Sequence, residues 1–217
     1  MSELDKTYET ADMLKALDLP ISKDLLDNIE RLEKEKGKEH REDLTLYFYE
    51  NCYANYTKRI MNIRQAKIRG EVILAKPVLL LTIIDGISSE VFCNNEFGLT
   101  EWLEGRYMML MKQYMKGSRF DKPTDISNPF WHLQSDGFWH LKYGEEPKDS
   151  ATPSKRWLKE KVSYAYFDDD LWVLLQNKVW RTKLRDYIVE HKLTDDNWLG
   201  KIAAEGVGAI AALLLAA

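Results

Sequence analysis

Lys76-Pro77-Val78-Leu79-Leu80-Leu81-Thr82-Ile83-Ile84 is the stretch on which the fold turns. Its apolar residues cover every side of a helical wheel, and proline suits a first helical turn, so it reads as a helix buried on all faces. Such a helix belongs at the centre of a domain, with other elements packed around it. Asp85-Gly86 reads as its end.

Upstream, Leu25, Leu26, Ile29 and Leu32 keep helical spacing and run into Glu33–Glu42, where acidic and basic residues three or four apart support an exposed helix. Leu44, Phe48, Cys52, Tyr56 and Ile60 then step by four, predicting a helix from Asp43 closed by Gly70. Downstream, Leu99, Leu103, Leu110 and Tyr114 predict a helix over 101–116, and Gly117–Ser127 with Pro123 reads as a loop. Phe130-Trp131-His132-Leu133 and Phe138-Trp139-His140-Leu141 flank Asp136-Gly137, which predicts a β-hairpin near residues 130–141. Asp168-Asp169-Asp170 suits a helix start, and Leu171, Leu174, Leu175, Leu184 and Ile188 supply core positions for two short helices. The expected class is mainly α: a compact helical domain over 45–193 with one small antiparallel hairpin, an acidic helical extension over 1–44 and an apolar segment over 194–217. The apolar tail Ile202–Ala217 reads as a packing or oligomerisation helix, shorter than the roughly 20 residues a membrane span needs.

A chain of 217 residues with seven tryptophans and eleven tyrosines has ample material for a core, which excludes a disordered or fibrous protein. Cys52 and Cys93 form no paired spacing, so neither a disulfide framework nor a zinc cage is expected, and both read as small buried side chains. The acidic opening is unlike a secretion signal, so a cytoplasmic protein is expected. The formal charge of −4 is unevenly spread, because residues 1–50 carry −6 and residues 51–217 carry +2. Lys58, Arg59, Arg64, Lys67, Arg69 and Lys76 are relieved only by Glu71; Arg106, Lys112, Lys116, Arg119 and Lys122 only by Asp121. Segregation of this kind allows a basic face on an acidic protein, although solvated helix faces would give the same pattern.

No catalytic constellation is visible. His40, His132, His140 and His191 share no metal-binding spacing, no glycine-rich phosphate loop occurs, and Asp168-Asp169-Asp170 is better explained as a cap than as a magnesium site. No cofactor and no metal are expected.

Three segments in this order resemble the sulfur-binding domain of McrA-like restriction endonucleases, which recognise phosphorothioate DNA. They are Lys76-Pro77-Val78-Leu79-Leu80-Leu81, then Asn128-Pro129-Phe130-Trp131-His132-Leu133 with Ser135-Asp136-Gly137-Phe138-Trp139, then Asp170-Leu171-Trp172-Val173-Leu174-Leu175-Gln176 leading to Leu184-Arg185. The resemblance spans about residues 45–193. It implies a mostly helical fold with a small hairpin, and a basic face beside a shallow apolar pocket that receives the sulfur. Lys76 matches the basic residue before proline, Pro129 matches the pocket proline, and Pro77 shapes the adjoining helix start. Asn128 stands where a pocket tyrosine is common, Ala75 where histidine is common, and His132 at a position that can be small.

The expected function is therefore a noncatalytic DNA-binding module of a restriction or defence system. Lys76, Arg119, Lys155 and Arg156 are candidate phosphate contacts, the last three from position and charge. Pro77, Asn128, Pro129 and His132 are the candidate sulfur pocket. Family members commonly carry an HNH nuclease domain and no such segment occurs here, so cutting would fall to a nuclease partner. The candidate partners are DNA, such a nuclease and a second copy of the chain, with no membrane. The alternative is a protein-interaction or oligomerisation factor working through residues 1–50 and 202–217.

Overall fold

The computed structural model describes residues 2–115, 122–144 and 152–193. Helices α1 (Glu3–Ala16) and α2 (Lys23–Lys36) pack together and lead into α3 (Glu42–Met61). Ser2 and Asp5 close a reciprocal cap on α1, Ser22 caps α2, and Gly37, at φ 60°, ends α2 in the left-handed conformation that glycine adopts without a Cβ clash. The buried Glu33 carboxylate accepts from the Tyr8 hydroxyl and the Arg41 N–H and meets His40, so this pair is held to the start of α3 by one satisfied charge.

Helix α4 (Ala75–Ser88) is buried from Pro77 to Ile87 and packs against α5 (Glu101–Tyr114), α6 (Ser127–His132), α8 (Asp169–Gln176) and α9 (Lys178–Ile188), as its uninterrupted apolar run requires. It runs past the expected stop at Asp85-Gly86. Asp85 is held inside by Arg106 on α5 and Arg185 on α9, and Gly86 gives the Phe92 ring room to lie against the helix.

The domain is mainly helical with small antiparallel strand pairs, as expected, but the pairing residues differ from the hairpin expected near 130–141. Phe130–His132 lies in α6, Leu133–Asp136 forms a 3-10 turn, and Gly137, at φ 80°, turns the chain into β3 (Trp139–Tyr143). Asp125 accepts from the Ser127 N–H and hydroxyl at the head of α6, while Phe130 and Leu133, three apart, bury the same side. The partner of β3 is β4 (Val162–Phe167), which follows α7 (Lys155–Lys161); Trp139 faces Phe167 and His140 faces Tyr166. Phe97 pairs with Ala165 at the other edge of β4. Inward side chains build an aromatic nucleus in which Trp139 stacks on Phe97 at 5.8 Å and donates its indole N–H to the Phe130 carbonyl.

Helix α3 ends at Met61, not at Gly70, because the apolar four-residue step stops at Ile60. The next residues form β1 (Lys67–Ile68) and β2 (Glu71–Val72), joined by Arg69 and Gly70 with φ of 52° and 86°, the turn geometry that closes a two-residue hairpin loop. Cys52 is buried as expected, whereas Cys93 is exposed, in the loop beyond α4. Among the described residues no helix is long and apolar enough to cross a membrane. The apolar tail Ile202–Ala217 lies outside the described residues.

Candidate nucleic-acid interface

Lys76 is the second residue of α4, Leu74 at the N-cap supplies no side-chain acceptor, and Pro77, which has no N–H, follows in the first turn. The Lys76 ammonium lies 2.6 Å from Asp136 Oδ2, with the Ser135 hydroxyl at 3.4 Å. The other oxygen of Asp136 accepts the Arg64 N–H at 3.1 Å. With side-chain exposures of 11% for Lys76 and 4% for Asp136, the pair is a largely sheltered ion pair. Lys192 approaches the same carboxylate while donating to the Met61 carbonyl; burial lowers its pKa against the pull of Asp136.

Arg59 extends the cluster from α3. One arm binds Asp168 at 2.7 Å and the other the Gly137 carbonyl. Asp168, at the N-cap of α8, makes no capping bond; its carboxylate accepts from Tyr56, Arg59 and His140 instead. Burial would raise its pKa, and the hydrogen bonds from His140 and Arg59 overcome that, leaving the carboxyl below its ordinary value. The ends of α3, α4 and the 3-10 turn thus carry alternating charges that converge on residues 135–137, and Arg64, Lys67 and Arg69 add positive charge with no side-chain partner among the described residues.

Asn128 and His132 are one turn apart on α6 and share a face, with Asn128 exposed and His132 half-buried. The His132 imidazole bonds the Thr152 hydroxyl; burial and then the nearby Lys76 charge lower its pKa, which favours the neutral ring. Pro77 on α4 and Pro129 on α6 are both buried, and the two helices pack against each other. Lys155 is engaged by Asp125 at 2.9 Å and Glu104 at 3.0 Å, tying α7 to α5 and to the head of α6. Arg156 is 87% exposed and pairs with Glu160 one turn along. Arg119 lies outside the described residues.

Lys76 on α4 thus lies near His132 on α6, while Lys155 and Arg156 stand on α7 beyond Thr152. Sequence reasoning missed Arg59, Arg64, Asp136, Asp168 and His140 as members of one network. Asp136 and Asp168 carry the composition of turns and caps, which conceals carboxylates that organise cations. Among the described residues no three His, Cys, Asp or Glu side chains gather to hold a metal.

The family described as ScoMcrA-like, DNA sulfur-binding domain, matches residues 54–199. The solved sulfur binding domain of ScoMcrA complexed with phosphorothioated DNA is 19% identical, with a TM-score of 0.51 over 63% of this chain and 86% of that chain. The sulfur binding domain of SprMcrA complexed with phosphorothioated DNA is 18% identical, with a TM-score of 0.50 over 65% of this chain and 86% of that one. At these identities the likeness is one of fold. No curated protein matches the chain. With two thirds of its length inside the matched span, the chain belongs to the ScoMcrA-like DNA sulfur-binding domain family.

Proposed function

We propose that this protein is a noncatalytic DNA-binding module of a restriction or defence system, working in the cytoplasm, that grips backbone phosphates and favours a phosphorothioate linkage. The observation that carries the reading is Lys76, held at the start of α4 without a side-chain cap and close to the half-buried His132, in a chain of the DNA sulfur-binding family. Arg156 and Lys155 supply further phosphate contacts, and Arg119 joins them on the ground of its charge.

Sulfur in place of a nonbridging phosphate oxygen is larger, softer and less strongly hydrated, so it gives up less on entering a partly apolar site. Lys76 already faces Asp136, so an ordinary phosphate gains little net Coulomb energy from it. Discrimination then falls to desolvation against Pro77, Pro129 and the Asn128–His132 face. Cleavage belongs to a nuclease partner.

The test is a titration of labelled duplexes, with and without a single phosphorothioate, at two salt concentrations. Wild type should bind the modified duplex more tightly, with affinity for both falling steeply as salt rises. Lys76→Gln, checked for an intact thermal transition, should reduce the preference. Equal affinity for the two duplexes removes the sulfur reading, and binding to neither removes the DNA reading.

A further inference from the structure

The β1–β2 hairpin carries the highest density of unpartnered charge near the Lys76 site. Arg64, Lys67 and Arg69 are all exposed, and none has a side-chain partner among the described residues. Ile68 and Val72 are 49% and 41% exposed, so the same short ribbon shows aliphatic side chains to solvent. The ladder continues to the Ile73 N–H, which donates to the Ala66 carbonyl at 2.8 Å, and the Gln65 side-chain amide donates to the Ile73 carbonyl at 3.2 Å. The stem is thereby closed independently of its tip.

Two further features give the ribbon a direction and a purpose. Both of its ends are fastened to one carboxylate: Arg64, three residues before β1, through its N–H, and Lys76, four residues after β2 in the first turn of α4, through its ammonium. The ribbon consequently rises from the same patch as Lys76. At the tip, Arg69 is held at φ 52°, a conformation that non-glycine residues rarely adopt, and a Cβ on neighbouring Gly70 would meet nothing within 4 Å. A strained arginine at an open tip, where asparagine would fit the turn better, is costly for folding and useful only if the guanidinium is wanted there.

We propose that the β1–β2 hairpin is an arm that enters the major groove of duplex DNA when the Lys76 patch sits on the backbone, with Arg69 leading and Lys67 and Arg64 along the flanking phosphates. A two-stranded ribbon fits a groove about 12 Å wide, where the base edges carry the fuller pattern of donors and acceptors. Arginine at the tip presents a fork of donors to the acceptor edge of guanine, and exposed Ile68 and Val72 suit apolar base surface such as the thymine methyl. The arm rests on the DNA-binding reading above and adds to it a contact independent of sulfur.

The experiment compares wild type, the Lys67→Ala/Arg69→Ala double variant and a variant with residues 67–72 replaced by Asn-Gly, each on plain and phosphorothioated duplexes over a salt series. Removing the phosphate-directed Lys67 together with the groove-directed charge of Arg69 should flatten the slope of log affinity against log salt by about 1 to 2. Affinity for both duplexes should fall by the same factor, on the order of tenfold or more at low salt, so the preference for sulfur stays as it was. Netropsin, a minor-groove ligand, should fail to displace the protein. Variants that match wild type in affinity and slope, or displacement by netropsin, overturn the arm while leaving DNA binding in place. A wild type that binds neither duplex overturns the DNA-binding reading, and the arm with it.

Discussion

Replacing Lys76 with methionine should destabilise the protein as well as weaken any grip on DNA. The substitution keeps the length of the side chain and removes its charge, leaving Asp136 at 4% exposure with the Arg64 N–H as its remaining close donor, 3.1 Å away. Removing one partner of a sheltered ion pair costs about 3–5 kcal/mol, because the abandoned charge stays desolvated. For a domain of this size each kcal/mol moves Tm by about 2–4 °C, so a fall of roughly 6–20 °C is expected. Circular dichroism melts at neutral pH measure it. The control is Lys76→Met/Asp136→Asn, which retains an acceptor for Arg64 without a charge and should regain most of the loss. A single variant melting within about 2 °C of wild type, or a double variant no better than the single, would refute the reasoning. Asp136→Asn alone should raise affinity for ordinary duplex, since the Lys76 charge is then uncompensated. That gain would mark the carboxylate as the group that keeps plain phosphate weakly held.

Other outcomes follow from single positions. Gly137→Ala places a Cβ 3.2 Å from Arg59 at φ 80° and should cost about 1–2 kcal/mol in chemical denaturation, with the Arg59–Gly137 bond weakened. Gly86→Ala would bring a Cβ to 2.5 Å from the Phe92 ring inside the packed face of α4, and a loss of about 1–3 kcal/mol is expected unless the ring swings away. Asp168 has its pKa lowered on folding, so its contribution is present above the unfolded carboxylate value of about 3.9 and disappears as pH falls through the folded one. Melts of Asp168→Asn should accordingly differ most from wild type near neutral pH, draw closer only as pH falls below about 4, and meet it below the lowered folded value; a constant gap would contradict the assignment. Trp139→Ala, which empties the aromatic nucleus and frees the Phe130 carbonyl, should cost about 3–5 kcal/mol.

The central helix was legible because nothing but burial explains an apolar run on all faces, and the family followed from three segments in order. The strand pairing was not. Phe130-Trp131-His132-Leu133 has strand-like composition, yet its Phe130 and Leu133 lie at helical spacing, and Asp136-Gly137 ends a 3-10 turn as readily as it forms a hairpin loop. The true partner of β3 lies beyond α7, and local composition does not encode that distance. Arg69-Gly70 resembled a helix stop for a similar reason: glycine with positive φ serves both ends, and only the two-residue β1–β2 register separates them. In the candidate site, Lys76 and its neighbours on α6 could be named in advance, whereas Asp136 and Asp168 drew their roles from side chains far away in sequence.

The late arrival of β4 has a bearing on how the chain acquires its shape. Phe138 and Trp139 emerge with β3, but the strand that covers them begins at Val162, so a nascent chain must extend well past Tyr143 before that aromatic surface can be shielded. Closing this loop carries an entropic cost that neighbouring helices do not share, which makes the strand pairing a late event in folding. During that interval the exposed rings are open to chaperone capture or to self-association.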